Sequence, residues 1–166
     1  MAIVIGYDGS SDAQAAIEGA ARLMPGAEAV VLTVWEPFED VIARSAAGFD
    51  LAPVGVDFVE IDRQYERNAS ARAAEGAERA GAAGLRARPR THKRQASIAA
   101  AILTEAAELE ADAIVLGTRG LSGLKSALLG SVSHAVLQHA DRPVIVIPSP
   151  QLAERRGRRR PAGDAH

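Results

Sequence analysis

The chain has 166 residues, of which 48% are hydrophobic and 24% are charged, a balance typical of one globular domain with its own core. The net charge of -2 gives the molecule no electrostatic bias towards nucleic acid, and the absence of cysteine excludes a disulfide framework and thiol catalysis. The N-terminus lacks the basic region of a signal peptide, and no apolar run has the length of a membrane span. We therefore expect a soluble, cytoplasmic protein.

Residues 1–35 predict a βαβ unit. Ala2–Tyr7 is a short apolar run, which favours a buried strand, and Asp8-Gly9-Ser10 then offers a turn and a helix N-cap. The helix that follows has a small, alanine-rich apolar face and stops at Pro25-Gly26. Ala29–Trp35 is again apolar and predicts a second strand, reached by a right-handed crossover.

The middle of the chain is less regular. Glu36–Val56 contains two prolines and little periodicity, which predicts a long connection. Asp57–Gly81 is rich in Ala, Glu and Arg and predicts a long helix. Gly84–Thr91 alternates only weakly and contains Pro89, which favours a strand at the edge of a sheet.

The last third of the chain completes an alternation of strands and helices. Ser97 is placed to cap a helix over residues 98–110, and Ala113–Leu116 predicts a fully buried strand. Residues 131–140 predict another helix, and Pro143–Ile147 predicts the last strand. Strands that are apolar on both faces indicate an α/β fold: an open parallel sheet with helices on both faces.

A change of composition near residue 148 predicts the end of the domain. Residues 1–148 then form one domain, and residues 149–166 are polar, rich in arginine and without periodicity. Such a segment is typical of a disordered, solubilising tail, which we favour over a specific RNA-binding element.

Two loops are the candidates for a binding site. A parallel sheet binds ligands beyond the carboxyl ends of its strands, where the strand order reverses. Asp8-Gly9-Ser10 follows the first strand, and the glycine-rich segment "GTRGLSGLKSALLGS", Gly117–Ser131, follows the fourth. If the strand order is 3-2-1-4-5, these two loops face each other across one crevice.

The glycine-rich segment suits a phosphate, although it is neither a P-loop nor a G-x-G-x-x-G motif. Gly117 lets a ligand approach the backbone, and Gly120 is free to adopt a positive φ. At the start of the next helix, Ser131 is placed to cap the helix and to bind a phosphate oxygen, and the free amides there favour an anion. Arg119 would add positive charge. The alternative is a structural loop that only allows close packing.

The other candidate residues also have structural alternatives. Asp8 is placed for ribose hydroxyls, a base or a divalent metal, or it caps a helix. Val34 and Leu116 line a slot for a flat base, or they are ordinary core residues. Arg119 binds phosphate or is a solvated surface charge, and Lys125 faces solvent.

The glycine spacing resembles that of the universal stress protein family. G-x2-G-x9-G-S occurs at Gly117, Gly120, Gly130 and Ser131, and it accompanies the early "VIGYDGS" and the late "HADRPVIVIP". The resemblance covers about residues 2–148 and points to the branch of the family that binds ATP. It implies a Rossmann-like fold of five parallel strands in the order 3-2-1-4-5.

The resemblance also implies a set of nucleotide contacts, a metal and a partner. ATP with Mg²⁺ would be the cofactor, and the chain would pair as a homodimer through Val144–Ile147. Tyr7 is bulkier than the residue usual at its position, and its ring would narrow the adenosine end of the site. The contact residues implied are Gly6, Tyr7, Asp8, Val34, Leu116, Gly117, Arg119, Gly120, Gly130, Ser131 and Val132.

Three functions are compatible with the sequence. The first is an ATP-binding regulatory module of the stress response. The second is a slow ATPase or nucleotide-transferring enzyme, although no residue beside the glycine-rich segment stands out as a general base or nucleophile. The third is a dimeric scaffold without nucleotide, against which the intact glycine motif argues.

Overall fold

The computed structural model describes residues 1–45, 57–118 and 129–157. Within these ranges the chain alternates between strands and helices, as predicted. In chain order the elements are β1 (Ala2–Gly6), α1 (Ser11–Leu23), β2 (Glu28–Trp35), α2 (Phe38–Ser45), α3 (Phe58–Ala82), β3 (Arg86–Lys93), α4 (Ile98–Glu108), β4 (Ala113–Gly117), α5 (Ser131–His139), β5 (Val144–Ile147) and α6 (Pro150–Gly157).

The five strands form one parallel sheet in the order β3-β2-β1-β4-β5. This confirms the predicted fold class, a Rossmann-like open parallel sheet in the order 3-2-1-4-5 with helices on both faces. The strand order reverses between β1 and β4, which pair from Ile3↔Ala113 to Ile5↔Val115. The carboxyl ends of these two strands therefore mark the point where such a sheet opens a crevice.

The sheet is buried on both faces because alternate residues of each strand point to opposite sides. Ile3, Ile5 and Tyr7 belong to a core layer shared with α1 and α3. Val4 and Ile114 belong to a second layer shared with α4 and α5. Burial on both faces explains why β1 and β4 are continuous apolar runs in the sequence.

α3 is the longest described helix, with 25 residues, and it packs through small side chains. Ala69, Ala73 and Ala77 are buried along one face and let the helix lie close to β2 and β3. The opposite face is charged and includes an ion pair, in which the Nη2 atom of Arg67 lies 2.8 Å from the Oε1 atom of Glu60. Nowhere in the described ranges does a helix combine the length and apolarity needed to cross a bilayer.

The edge strand predicted from Pro89 is β3, which lies at one end of the sheet. It is bound to α4 by a buried carboxylate, Glu105, which is 2% exposed. Glu105 accepts a hydrogen bond from Arg90 at 2.6 Å and lies 2.7 Å from the Nδ1 atom of His92. Ser97 caps α4 as predicted and accepts from the Ala100 amide at 3.0 Å.

The prediction of an irregular connection over Glu36–Val56 is wrong in its first part, where the chain forms α2. The ring of Phe38 lies 5.7 Å from that of Phe58 and 6.2 Å from that of Tyr65 in α3. The Phe38 amide donates to Asp62 at 2.8 Å. These contacts come from residues distant in sequence, so local periodicity does not reveal them. Residues 46–56 lie outside the described ranges.

The prediction of a disordered tail from residue 149 is wrong for Pro150–Gly157, which forms α6. Ser149 is buried, and its carbonyl accepts from the amides of Leu152 and Ala153 at 3.0 and 2.9 Å. Proline at the first helical position favours a helix start because its ring presets φ and it has no amide to leave unpaired. Residues 158–166 lie outside the described ranges.

Gly76 of α3 provides a test of this packing. A Cβ there would lie 2.7 Å from the Tyr7 ring and 2.8 Å from Val31, so Gly76→Ala should destabilise the fold by about 1–3 kcal/mol. Gly81 in the same helix has open space around its Cβ position, and Gly81→Ala should stabilise by up to about 1 kcal/mol. Urea unfolding measures both, and equal effects at the two positions would contradict the packing.

Candidate functional site at the switch point

A cavity of about 360 Å³ opens at the carboxyl ends of the central strands. Its walls come from the end of β1, the end of β2, the end of β4 and the start of α5. Nine of the eleven predicted site residues line it; Arg119 and Gly120 lie outside the described residues. The nine are Gly6, Tyr7, Asp8, Val34, Leu116, Gly117, Gly130, Ser131 and Val132.

One half of the cavity is apolar. Leu32 and Val34 of β2 and Ile98 and Ile102 of α4 line it together with Leu116. Leu32, Ile98 and Ile102 were not predicted as site residues, because their contribution depends on α4 lying over the end of β2. The result is an apolar wall beside polar groups, which suits a flat ring with few charges.

Gly6 allows this apolar wall to close around the end of β1. A Cβ at Gly6 would lie 2.6 Å from the Cδ2 atom of Leu116, closer than real side chains approach. The glycine therefore gives Leu116 its place beside the cavity. This steric role supplements the predicted backbone contact and does not exclude it.

The start of α5 forms the polar half. Its N-cap is Gly130, with extended backbone, and glycine has no side chain with which to cap the helix. The predicted cap, Ser131, is instead the first residue of the helix and is exposed. The amides of the first turn have no intrahelical carbonyl to bind, and the helix dipole is positive at this end. This arrangement suits an anion.

Hydrogen bonds connect the end of β4 with α1 and with the start of α5. The Thr118 hydroxyl donates to the Asp12 carboxylate at 2.6 Å, and the Ser133 hydroxyl donates to the Gly117 carbonyl at 2.8 Å. The Gly130 amide donates to the Thr118 carbonyl at 2.7 Å. These bonds tie Thr118 to α1 and tie the end of β4 to the start of α5.

Asp12, Thr118 and Ser133 were missed at the sequence level. Each is a polar residue that the fold buries, between 2% and 6% exposed. Thr118 directly follows a fully apolar strand, and that position was the one available signal. The pairing with Asp12 spans more than a hundred residues and becomes visible only in three dimensions.

Three charged side chains line the cavity among the described residues: Asp8, Glu36 and Arg72. Asp8 accepts from the Ser10 amide at 3.0 Å. The cap of α1 is Ser10, which accepts from Ala13 at 3.2 Å, so the alternative in which Asp8 is the N-cap is wrong. Glu36 accepts from Arg94 at 2.7 Å.

The prediction that the Tyr7 ring narrows the site is wrong. The ring lies in the core layer beneath α3, and its hydroxyl donates to Glu75 at 2.8 Å. Burial, together with the bond to Glu75, raises the pKa of Tyr7 above its usual value. The Tyr7 carbonyl accepts from the Thr33 hydroxyl at 2.9 Å, so this backbone group is held against β2 at the edge of the cavity.

Comparison with known proteins agrees with this architecture. The sequence model of the universal stress protein family matches residues 1–148. A universal stress protein of Thermus aquaticus, encoded in the QAH/OAS sulfhydrylase 3' region, is 35% identical over 153 residues, which covers 87% of this chain and 96% of that protein. The structure of the hypothetical protein MJ0577 superposes with a TM-score of 0.70 at 19% identity, covering 89% of this chain and 94% of that one.

Several similar structures contain a nucleotide. A universal stress protein of Arabidopsis thaliana with bound AMP has a TM-score of 0.58 and 16% identity, and covers 89% of this chain and 91% of its own. A universal stress protein in complex with cAMP has a TM-score of 0.58 and 21% identity, with coverage of 90% and 97%. The dAMP complex from Archaeoglobus fulgidus has a TM-score of 0.57 and 22% identity, with coverage of 89% and 97%.

The bond between Thr118 and Asp12 is open to a direct test. Thr118→Val keeps the shape but removes the donor to a buried carboxylate, so it should destabilise the protein by about 1–3 kcal/mol. Thr118→Ser keeps the hydroxyl and should cost much less. Urea unfolding of both variants measures the difference, and equal losses would mean that the methyl group matters rather than the bond.

Proposed function

Because this chain belongs to the universal stress protein family, we propose that it is an ATP-binding regulatory module of the stress response. The observation that carries the proposal is the cavity at the switch point, where an apolar wall meets the uncapped start of α5. An adenine nucleotide has the same two halves, a flat base and a phosphate chain. The bound AMP, cAMP and dAMP of the similar structures share that chemistry.

The cavity residues divide between the parts of the nucleotide. Val34 and Leu116 would contact the adenine, and Asp8 would accept from ribose hydroxyls. The Gly117 backbone and the first turn of α5, from Gly130 to Val132, would bind the phosphates. Gly6 and the Tyr7 backbone would border the adenosine, and Arg119 and Gly120 would complete the phosphate contacts, as the glycine motif predicts.

Mg²⁺ would accompany ATP through the phosphates. Among the described residues no cluster of three or more acidic or histidine side chains could hold a metal ion alone. Mg²⁺ in nucleotide sites is usually held by one or two carboxylates together with phosphate oxygens. Asp8, which lines the cavity, is the carboxylate we propose for that role.

We propose binding rather than catalysis as the main activity. Of the two carboxylates that line the described part of the cavity, Glu36 is paired with Arg94, and Asp8 is assigned above to the ribose and to Mg²⁺. Hydrolysis would require a group that orients water in line with the phosphate. A regulatory function requires only that ATP binding stabilises one conformation of the cavity and its surroundings.

We also propose a homodimer through the outer edge of β5. Val144, Ile145 and Val146 are partly exposed on an edge strand of the sheet. An apolar, uncharged edge favours pairing with another strand. A second copy of the chain presents the same edge and can pair with it symmetrically.

The proposed nucleotide site predicts that one substitution, Ser131→Asp, raises the stability of the protein but lowers its affinity for ATP. Ser131→Asp places a negative charge in the first turn of α5, which should stabilise the helix by about 0.3–1 kcal/mol. The same charge should repel phosphate and weaken ATP binding about tenfold or more. Calorimetry with ATP and thermal unfolding measure the two effects, with Ser131→Asn as the uncharged control.

Native mass spectrometry of freshly purified protein tests the proposal independently, and an added mass equal to an adenine nucleotide supports it. Protein that carries no nucleotide and gives no calorimetric signal with ATP would overturn the ATP-binding function. Equal ATP affinity in Ser131→Asp and wild type would instead remove the start of α5 from the site.

The proposed dimer predicts a change of mass in solution. Val146→Lys places a charge on the β5 edge and should convert the dimer to a monomer, because an unpaired charge opposes edge-to-edge pairing. Val146→Thr keeps the size without charge and should remain dimeric. Light scattering coupled to size exclusion measures the mass, and a monomeric wild-type protein would contradict the interface.

A further inference from the structure

Arg72 is a basic residue of the cavity that the sequence did not predict. It belongs to α3, about halfway along the helix, and it is partly buried. Its side chain lines the cavity beside the loop that follows β1. Within the described part of the cavity wall it is the one basic side chain, and the two acidic residues there are Asp8 and Glu36.

The loop after β1 is shaped to receive this side chain. Gly9 has φ of 83°, in the left-handed region that favours glycine. A Cβ at Gly9 would lie 3.5 Å from the Cδ and Nε atoms of Arg72. The arginine stem therefore lies along the Gly9 backbone, which holds it towards the cavity.

The guanidinium of Arg72 has no carboxylate partner among the residues that the structure describes. Other arginines of α3 differ, since Arg67 pairs with Glu60 at 2.8 Å and Arg79 pairs with Glu75 at 3.6 Å. A partly buried arginine that lines a cavity and forms no ion pair retains its hydrogen-bonding capacity for a ligand.

Arg72 and the start of α5 approach the cavity from opposite faces of the sheet. α3 shares its core layer with α1, whereas α5 shares its layer with α4. An anion between them would have a guanidinium on one side and helix amides on the other. Positive groups on both sides hold an anion more firmly than either group alone, because the low-dielectric walls reduce screening.

We propose that Arg72 is a binding residue for the phosphate chain of the nucleotide and makes the site selective for charged nucleotides over the nucleoside. This inference rests on the proposed nucleotide-binding function and adds to it a residue outside the glycine motif. Planar guanidinium groups bind phosphate oxygens with two parallel hydrogen bonds, so arginine suits this role better than lysine.

The test compares ATP and adenosine by calorimetry on the full chain. Arg72→Met should weaken ATP binding about tenfold to a hundredfold, the range expected for loss of a charge-assisted hydrogen bond. Adenosine affinity should stay unchanged. Arg88→Met is the matched control, because Arg88 is an exposed arginine of β3 outside this cavity and its loss changes the net charge equally.

The outcomes separate this inference from the proposed function. Wild-type protein that binds neither ATP nor adenosine overturns both. Wild-type protein that binds ATP with an affinity equal to that of Arg72→Met overturns the role of Arg72 alone. An equal loss for ATP and adenosine also overturns it, since that result indicates a distorted cavity.

Arg72→Lys provides a second, milder variant that keeps the charge. We expect an ATP affinity between those of wild type and Arg72→Met, because lysine keeps the attraction but loses the bidentate geometry. Thermal unfolding checks that each variant is folded. Affinity in Arg72→Lys as low as in Arg72→Met, in a folded protein, would show that charge is not the property that matters.

Discussion

The close contact between the end of β4 and α1 is the constraint on which the rest of the site depends. At Gly117 a Cβ would lie 2.6 Å from the carbonyl carbon and oxygen of Asp12. Because both groups are backbone, a side chain at Gly117 could not be accommodated by a rotamer change. The Thr118 hydroxyl then binds the Asp12 carboxylate one residue later. Together, a missing side chain and a buried hydrogen bond set the direction in which the chain leaves the sheet.

The position of α5 follows from that contact. The Gly130 amide donates to the Thr118 carbonyl, and the Ser133 hydroxyl donates to the Gly117 carbonyl. The helix therefore starts beside the carboxyl end of β4. Its first-turn amides are thereby brought to the cavity with no side-chain cap. Both flanks of the glycine motif, Gly117 and Gly130, are thus held in place by backbone carbonyl groups that accept hydrogen bonds at the end of β4.

Much of the fold could be predicted because its signals are local. Apolar runs identified β1 and β4, Ser97 identified a helix start, and Pro89 identified an edge strand. α2 and α6 were not predicted, because they are stabilised by tertiary contacts rather than by a periodic apolar face of their own. Phe38 packs on α3, and Ser149 is buried at the start of α6.

The site divides in the same way. Glycine spacing and the polar residues after strand ends are visible in one dimension, and they identified the four walls of the cavity. The apolar wall of the cavity depends on α4 lying over the end of β2. The place of Arg72 in the cavity depends on α3 lying beside Gly9. No spacing rule connects a residue of a long, charged helix with a turn sixty residues earlier. The direction of the Tyr7 ring was likewise decided by strand alternation and by the gap at Gly76.

The two edges of the sheet have opposite character, and this limits how copies of the chain could assemble. The β3 edge carries Pro89, which offers no amide, and two arginines, Arg86 and Arg90, that pair with Glu28 and Glu105. The β5 edge is uncharged and apolar. Two chains joined through β5 would have β3 at both ends of the combined ten-stranded sheet. Proline and charged side chains at those ends disfavour pairing with a further strand. In the dimer proposed above, growth would therefore stop at two copies, because the unlike edges that favour pairing through β5 would oppose a fibre.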